Sequence, residues 1–592
     1  MPAIEDYALL GNLQTAALVS REGSVDWCCF PRFDSGACFA AILGSPEDGR
    51  WLLAPTSTPQ RVTRRYRHDT LILESMIETA EGSARVIEFM PPRAKASEIV
   101  RIVEGLTGEI EMRSELVIRF DFGRIVPWMQ SFDEDHVAIA GPDGLCYRTP
   151  IEAHGEDLKT VSTFTVSAGE RVPFVLTWFP SHEPRPDRTD PEQALGETDE
   201  YWHAWAAQCE HLGAYHEEVH QSLLVLKALT YAPTGGMVAA PTTSLPESIG
   251  GPRNWDYRFC WLRDATLALL AMIRSGYHEE ATMWRQWLLR AVAGDPADVQ
   301  IMYGIAGERR LDERELDWLS GYEGSRPVRV GNAASSQLQL DVYGEVLDAL
   351  YQARAHGASD DGNVWSLTKK MLEWLEEGWQ REDAGIWEVR GPNRHFTHSK
   401  VMAWVAFDRA VRFHEEFGQD GPVERWRAIR DEIHADVLDR AWSDAKQAFA
   451  QSYGSDELDA SVLLMPLVGF LPATDGRVRS TVEALRQELT VDGLVLRYRP
   501  EDSGIDGLPG GEGVFLPCSF WLAGVLALQG KRAEARELFE RLLDLRNDVG
   551  LLSEEYDPVA LRQLGNFPQA FTHLALVDTA LILGAEESLH HL

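Results

Sequence analysis

Cysteine is scarce in this chain of 592 residues: seven, an odd number, scattered from Cys28 to Cys518. No C-x-x-C pair and no His/Cys cluster has the spacing of a zinc site, so a disulfide framework and structural zinc are excluded, and reduced, mostly buried thiols are expected. No run of eighteen apolar residues exists, which excludes a membrane-spanning helix. The opening Met1-Pro2-Ala3-Ile4-Glu5-Asp6-Tyr7 lacks the basic and apolar regions of a signal peptide, so a cytoplasmic protein is expected. Basic charge is also short. Lys and Arg number 56 against 92 Asp and Glu, a formal net charge of -36. With no basic stripe to offset it, nucleic acid and anionic membrane surfaces are poor partners. The Gly-rich run 507–513 has no Lys-Ser/Thr after it and is no phosphate cradle. These exclusions leave a soluble enzyme acting on a neutral or cationic small molecule, with a homo-oligomer open.

What is present divides the chain. At this length, with 44% hydrophobic residues, two or more domains are expected. From Ala8 to about Pro180, alternating apolar and polar residues are broken by Gly- and Asp-rich turns, the pattern of a β-sandwich over 1–184. Residues 185–214 read as a linker and bridging helix. The stretch from Gly23 to Ser35 carries Trp27, Arg32 and Asp34, and two readings stay open: a loop reaching a neighbouring site, or a sandwich edge packed by its aromatics.

Helical periodicity dominates 215–592. Twelve helices are expected near 216–232, 262–276, 279–294, 333–356, 361–380, 397–417, 422–440, 457–469, 476–489, 513–530, 531–546 and 568–584. Twelve helices suit a closed barrel of six helical hairpins, (α/α)6. The connections alternate between short turns and long stretches rich in Gly, Pro, Trp and charge: 233–261, 295–332, 381–396, 441–456, 490–512 and 547–567. In such a barrel alternate connections emerge at opposite ends, so the long ones gather into one cup.

Two of them carry candidate acids. Glu388 lies between Trp387 and Val389, an apolar setting that raises a carboxyl pKa as a general acid requires. Glu554 lies in Ser553-Glu554-Glu555-Tyr556-Asp557, beside Glu555. A carboxyl pair on separate loops suits glycosidic cleavage, one protonating the leaving oxygen and the other activating water. Alone, each is more often a solvated surface charge. The run from Asn254 to Asp264 packs four aromatics, two Arg and two Asp into eleven residues. Within it Trp261, Arg263 and Asp264 are candidates for holding sugar hydroxyls, although Asp264 also reads as a helix cap. Loop 295–332 adds Trp318 and Arg329, and loop 490–512 adds Arg497; either reads equally as a structural salt-bridge cluster.

On these motifs the chain resembles glycoside hydrolase family 15, the glucoamylases, glucodextranases and bacterial trehalases, over nearly its whole length. The opening is similar to the family's β-sandwich (supersandwich) domain and the remainder to its (α/α)6 barrel. Ser553-Glu554-Glu555-Tyr556-Asp557 resembles the motif whose Glu is the general base, implying that role for Glu554. Trp387-Glu388 resembles the Trp-Glu-Glu motif of the general acid, with Val389 replacing its second Glu. Trp261-Leu262-Arg263-Asp264 resembles the motif that binds the non-reducing glucose. Arg497-Tyr498-Arg499-Pro500-Glu501-Asp502 resembles Arg-Tyr-Pro-Glu-Asp with Arg499 inserted. The resemblance implies an exo-acting, inverting α-glucoside hydrolase that releases glucose, its carboxyl groups roughly 6.5–9.5 Å apart. Trehalose is favoured over short α-1,4 or α-1,6 gluco-oligosaccharides. No cofactor or metal is required, with phosphate and magnesium expected only if the enzyme is trehalase-like. The alternatives are a phosphate-dependent disaccharide phosphorylase on a similar barrel, and a non-catalytic carbohydrate-binding protein.

Overall fold

The computed structural model describes the chain except residues 93–95, 133–134, 211–212, 359–361, 500–506 and 586–592. Its first part is a fifteen-stranded antiparallel assembly. One twenty-residue strand, Glu98–Val117, runs through both layers of it. Its first half pairs with Gly82–Phe89 and Arg171–Pro180, and its second half with Arg50–Pro55 and Lys159–Ser167. The change of layer falls at Gly105 and Gly108. A Cβ at Gly105 would lie 2.1 Å from the Ser167 carbonyl oxygen, and Gly108 has φ +65°, so only glycine lets the strand cross there.

Helices follow. α1 (Pro191–Ala206) bridges to the helical part. It is followed by α2 (His216–Ala228), α3 (Ala265–Arg274), α4 (His278–Ala291), α5 (Asp341–Ala355), α6 (Gly362–Gly378) and α7 (Thr397–Phe417). The rest are α8 (Val423–Arg440), α9 (Leu464–Leu467), α10 (Gly476–Glu488), α11 (Leu516–Leu528), α12 (Arg532–Leu543) and α13 (Ala570–Gly584). From α3 to α13 the odd-numbered helices pack in sequence into a ring that α13 closes on α3, while the even-numbered ones flank it. Composition decides the layer. α11 and α13 are apolar on every face and almost wholly buried, whereas α12 buries only Ala535, Phe539, Leu542 and Leu543 along one stripe. Each of the twelve expected helices has a counterpart. Two lose the most length: 333–336 is a 3-10 turn ahead of α5, and the 457–469 helix shrinks to a 3-10 turn and the single turn of α9. In both, an Asn or Asp side chain (Asn332, Asp459) caps the tight turn, which competes with a continuous helix.

Every long connection enters a ring helix at its N-terminus, so all six gather at one end of the barrel. The strand-rich part braces them. The Trp27 indole donates to the Pro241 carbonyl at 2.7 Å, and Asn547 Nδ2 donates to the Tyr7 carbonyl at 2.8 Å. Arg258 is the central strut. Its guanidinium is bidentate on Asp256 (2.8 and 2.7 Å) and reaches across to the Ser35 carbonyl at 2.7 Å. The stretch from Gly23 to Ser35 thus supports the cup: Trp27 is buried, and Arg32 joins Asp34 to Glu308 on the barrel side.

Replacing Arg258 tests that bracing. Arg258→Met strands the fully buried Asp256 carboxylate and is expected to cost about 3–5 kcal/mol. A thermal midpoint unchanged from the parent protein would show that the strut carries no load.

Candidate active site

The cup holds an open pocket lined among others by Glu247, Trp255, Tyr257, Arg263, Trp387, Glu388, Arg390 and Arg497. The loop carrying Glu388 is shaped by two left-handed residues. Gly385 (φ +67°) has the Phe396 ring 2.7 Å from where a Cβ would stand, and Glu388 itself has φ +57°. A non-glycine residue held there stores strain on the order of 1–3 kcal/mol, a feature that concentrates at functional sites. Gln337 Nε2 holds the loop by donating to the carbonyls of Glu388 and Val389 (3.2 and 3.0 Å).

The Glu388 carboxyl accepts from the Trp261 indole at 2.6 Å and from Arg263 Nη1 at 3.4 Å, both on Oε1. Burial pushes its pKa up, with Arg263 and the Trp261 hydrogen bond pulling the other way. Arg263 is bound at 3.0 Å to Asp264, which makes no capping bond to α3 despite standing at its start. One guanidinium thus faces two buried carboxyls, and the charge balance favours one of them keeping its proton.

Glu554 leads into the central strand of a small three-stranded antiparallel sheet. Glu555–Asp557 pairs with Val514–Phe515 and with Arg562–Leu564. Glu554 is fully buried behind the pocket wall. Its Oε1 accepts from the Tyr257 hydroxyl at 2.6 Å and its Oε2 from the Asn566 N–H at 3.2 Å. Gly565 is required beside it, because a Cβ there would stand 2.5 Å from Glu554 Oε2. Arg497 Nη2 lies 3.1 Å from Glu247, 2.6 Å from Glu512 and 3.1 Å from Glu555, and Arg253 pairs with Glu512 at 3.4 Å. Two guanidiniums therefore face four buried carboxyls. Burial, reinforced by the neighbouring carboxylates against the pull of Arg497, pushes Glu247 up to about 8 and Glu555 well above the usual range. Glu554 is raised by burial too, while Arg497 and its hydrogen bonds lower it.

Glu247, Glu554 and Glu555 bring carboxylate oxygens within 4.8 Å of one another, the spacing of a cation site. Arg497 already fills that role, and the oxygens are committed to it, to Tyr257 and to backbone N–H groups. A magnesium ion, which needs near-octahedral oxygen ligands, would have to compete with these donors for the same oxygens.

Among the residues expected from sequence, the structure brings Glu388, Arg263, Trp387 and Arg497 to one pocket, with Trp261 bonded to Glu388 and Asp264 to Arg263. Glu554 and Glu555 stand in the wall behind it. Trp387 donates to both oxygens of Asp459 at 3.0 Å and lies 5.6 Å under the Arg497 guanidinium. Two residues stand elsewhere. Trp318 is drawn to the strand-rich part, donating to the Phe122 carbonyl at 2.9 Å with Arg124 over its ring. Arg329 lies behind the wall, held by the carbonyls of Pro252 and Asn254 and stacked on Trp255. Pro500, Glu501 and Asp502 of the Arg497 motif lie outside the described residues. Sequence reasoning missed Glu247 and Glu512. Glu512 sits in the Gly-rich run dismissed as a phosphate cradle, and Glu247 follows the plain Ser244-Leu245-Pro246, which carries no signal of its own.

The Trp261 bond generates a pH prediction. It stabilises ionised Glu388, so Trp261→Phe raises the Glu388 pKa further. If Glu388 is the proton donor, the alkaline limb of the kcat/KM profile moves to higher pH while kcat falls by about tenfold. A limb that stays in place would remove Glu388 from that role.

Comparison with known proteins bears on the family and the fold. Residues 213–581 match the family model "Glycosyl hydrolases family 15", and residues 1–175 match "Trehalase-like, N-terminal". The chain is 40% identical to the trehalase of Mycolicibacterium smegmatis, over 99% of this chain and 92% of that protein. It is 34% identical to the trehalase of Thermoplasma volcanium, over 98% and 93%. A bacterial glucoamylase solved in complex with acarbose shares the fold, with a TM-score of 0.73 at 11% identity over 98% of this chain and 94% of that one. With both carboxyl-bearing loops at the mouth of one helical barrel, the chain belongs to glycosyl hydrolases family 15 and is a glycoside hydrolase.

Proposed function

We propose that the protein hydrolyses trehalose to two molecules of glucose by a single displacement with inversion. The observation that carries the reaction type is the pair of buried carboxyls in one cup: Glu388 lining the pocket with both its donors on Oε1, and fully buried Glu554 with a donor on each oxygen. The relatives named trehalase support the substrate. In this reading residues 1–184 form the bracing domain, 185–214 the linker and bridging helix, and 215–592 the catalytic domain.

Arg263 and Asp264 grip the terminal glucose. Glu388 gives its proton to the bridging oxygen as the bond from C1 to that oxygen breaks, and the leaving glucose departs with an intact hydroxyl. A water oxygen forms the new bond to C1 from the opposite face and passes its proton to the Tyr257 hydroxyl, which lines the pocket and gives its own proton to Glu554. Tyr257, Asn566 and Arg497 favour the ionised form of Glu554, which a base requires. Both carboxyls are reset by exchanging protons with solvent. These steps use the chain's own side chains, and no step is assigned to magnesium or phosphate.

The test is glucose release from trehalose, isomaltose, maltose and maltotriose, with and without phosphate and magnesium. Glu388→Gln and Glu554→Gln are each expected to lose about 10²–10⁴-fold or more. Early NMR spectra of trehalose cleavage should show α- and β-glucose in equal amounts, since one anomeric centre is inverted and the other left alone. α-Glucose alone would refute inversion. A glucose phosphate formed only with added phosphate would replace hydrolysis by phosphorolysis.

A further inference from the structure

Glu388 marks the position of the bridging oxygen, so the pocket on either side of it holds one sugar each. Arg263 lies inward, its side chain 11% exposed and its guanidinium 4.8 Å from the Phe571 ring inside the helix ring. Arg390 lies outward, two residues beyond Glu388 and 27% exposed. The leaving sugar therefore sits on the Arg390 side, against Trp255, Val389, Tyr498 and Leu508.

Arg390 is held in place from several directions. Its Nη2 donates to Glu313 at 3.2 Å, and its guanidinium stands 4.9 Å from the Trp255 ring centre. Trp255 is itself fixed by its indole bond to Glu247 at 3.1 Å and by Arg329, 4.7 Å from the same ring. Glu313 is fixed in turn by the Ala333 N–H at 3.1 Å. The backbone ahead of Arg390 is clamped by Gln337. Arg253 and Arg497 are absorbed by the glutamate cluster, whereas Glu313 is the one hydrogen-bond acceptor on Arg390 among the described residues. A guanidinium has five N–H donors and accepts nothing, so several donors remain for a ligand. The neighbouring Val389 is apolar and buried and offers no acceptor side chain.

A donor-only group discriminates between linkages. A leaving glucose joined through its anomeric carbon has the ring oxygen, which only accepts, on one side of the linkage and the 2-hydroxyl on the other. Joined through C4, it has the 3-hydroxyl on one side and a carbon bearing the hydroxymethyl arm on the other, with no acceptor-only atom directly flanking the bond. We propose that Arg390 is the specificity-determining residue for the leaving sugar, selecting a glucose linked through its anomeric carbon over one linked through C4. This rests on the hydrolytic reading above and deepens it.

The experiment compares kcat/KM for trehalose, maltose and α-glucosyl fluoride, whose leaving group fills no sugar site. It uses the parent protein, Arg390→Met, Arg390→Lys and Glu313→Gln. Arg390→Met is expected to lower the trehalose-to-maltose ratio about 10- to 100-fold. The loss should appear mainly in KM and exceed the loss on the fluoride by a similar factor. Arg390→Lys, which keeps a donor without the planar fork, should fall between, and Glu313→Gln should shift the ratio the same way by less. If Arg390→Met fails to fold, those two variants carry the test. Equal losses on trehalose and maltose, or a loss on the fluoride as large as on trehalose, would overturn the assignment; the latter would mean that Arg390 acts through Glu388. A parent protein that cleaves the fluoride but not trehalose would sink the substrate reading itself, and the Arg390 assignment with it.

Discussion

The site depends on burying four carboxyl groups beside two guanidiniums without tearing the cup apart. Arg497 makes this possible. Its Nη2 lies within 3.1 Å of Glu247, Glu512 and Glu555, residues that arrive on three different long connections. Removing a charge from water costs several kcal/mol per ion, and mutual attraction offsets that only when hydrogen bonds are complete. Here every acid has donors from a guanidinium, an indole, a tyrosine or the backbone, and surplus negative charge is relieved by protons retained on buried carboxyls such as Glu247. The same knot that closes the cup therefore also sets the electrostatics around Glu554.

Glu388 and Glu554 are both buried, but their hydrogen-bond donors are arranged differently. Around Glu388, one guanidinium is shared with Asp264, and burial prevails, leaving a carboxyl disposed to hold its proton. Around Glu554, hydrogen bonds on both oxygens support the anion within an equally buried setting. Burial raises both carboxyls; what differs is their donors, both on one oxygen of Glu388 and one on each oxygen of Glu554. Among the described residues that line the pocket, none comes from the strand-rich part. It contributes rigidity, through Trp27 and Arg258, to the loop that carries Trp255, Tyr257 and Trp261.

Much of this was legible in the residues. Apolar periodicity located all twelve helices, because a ring helix such as Leu516–Leu528 and an outer helix such as Arg532–Leu543 differ in how many faces are apolar. Alternation of short and long connections placed Glu388 and Glu554 at the same end of the barrel before any coordinate was needed. Where reading by pattern failed, a longer-range partner had prevailed. Trp318 looked like its neighbours in a Trp- and Arg-rich loop, but the Phe122 carbonyl, far away in sequence, captures its indole. Arg329 was drawn behind the wall by backbone carbonyls that no motif announces.

The amino-acid sequence by itself determined the strand-then-helix order, the pairing of helices and the two carboxyl-bearing loops, since periodicity and turn chemistry act between near neighbours. Only the tertiary structure decided which charges meet. Glu247 follows an unremarkable Ser-Leu-Pro, and Glu512 lies in a glycine-rich run, yet both converge on Arg497. Burial, which decides whether a carboxyl holds its proton, is a property of the closed barrel rather than of any one loop. For that reason the candidate acids were visible in the chain, and the groups that tune them were not.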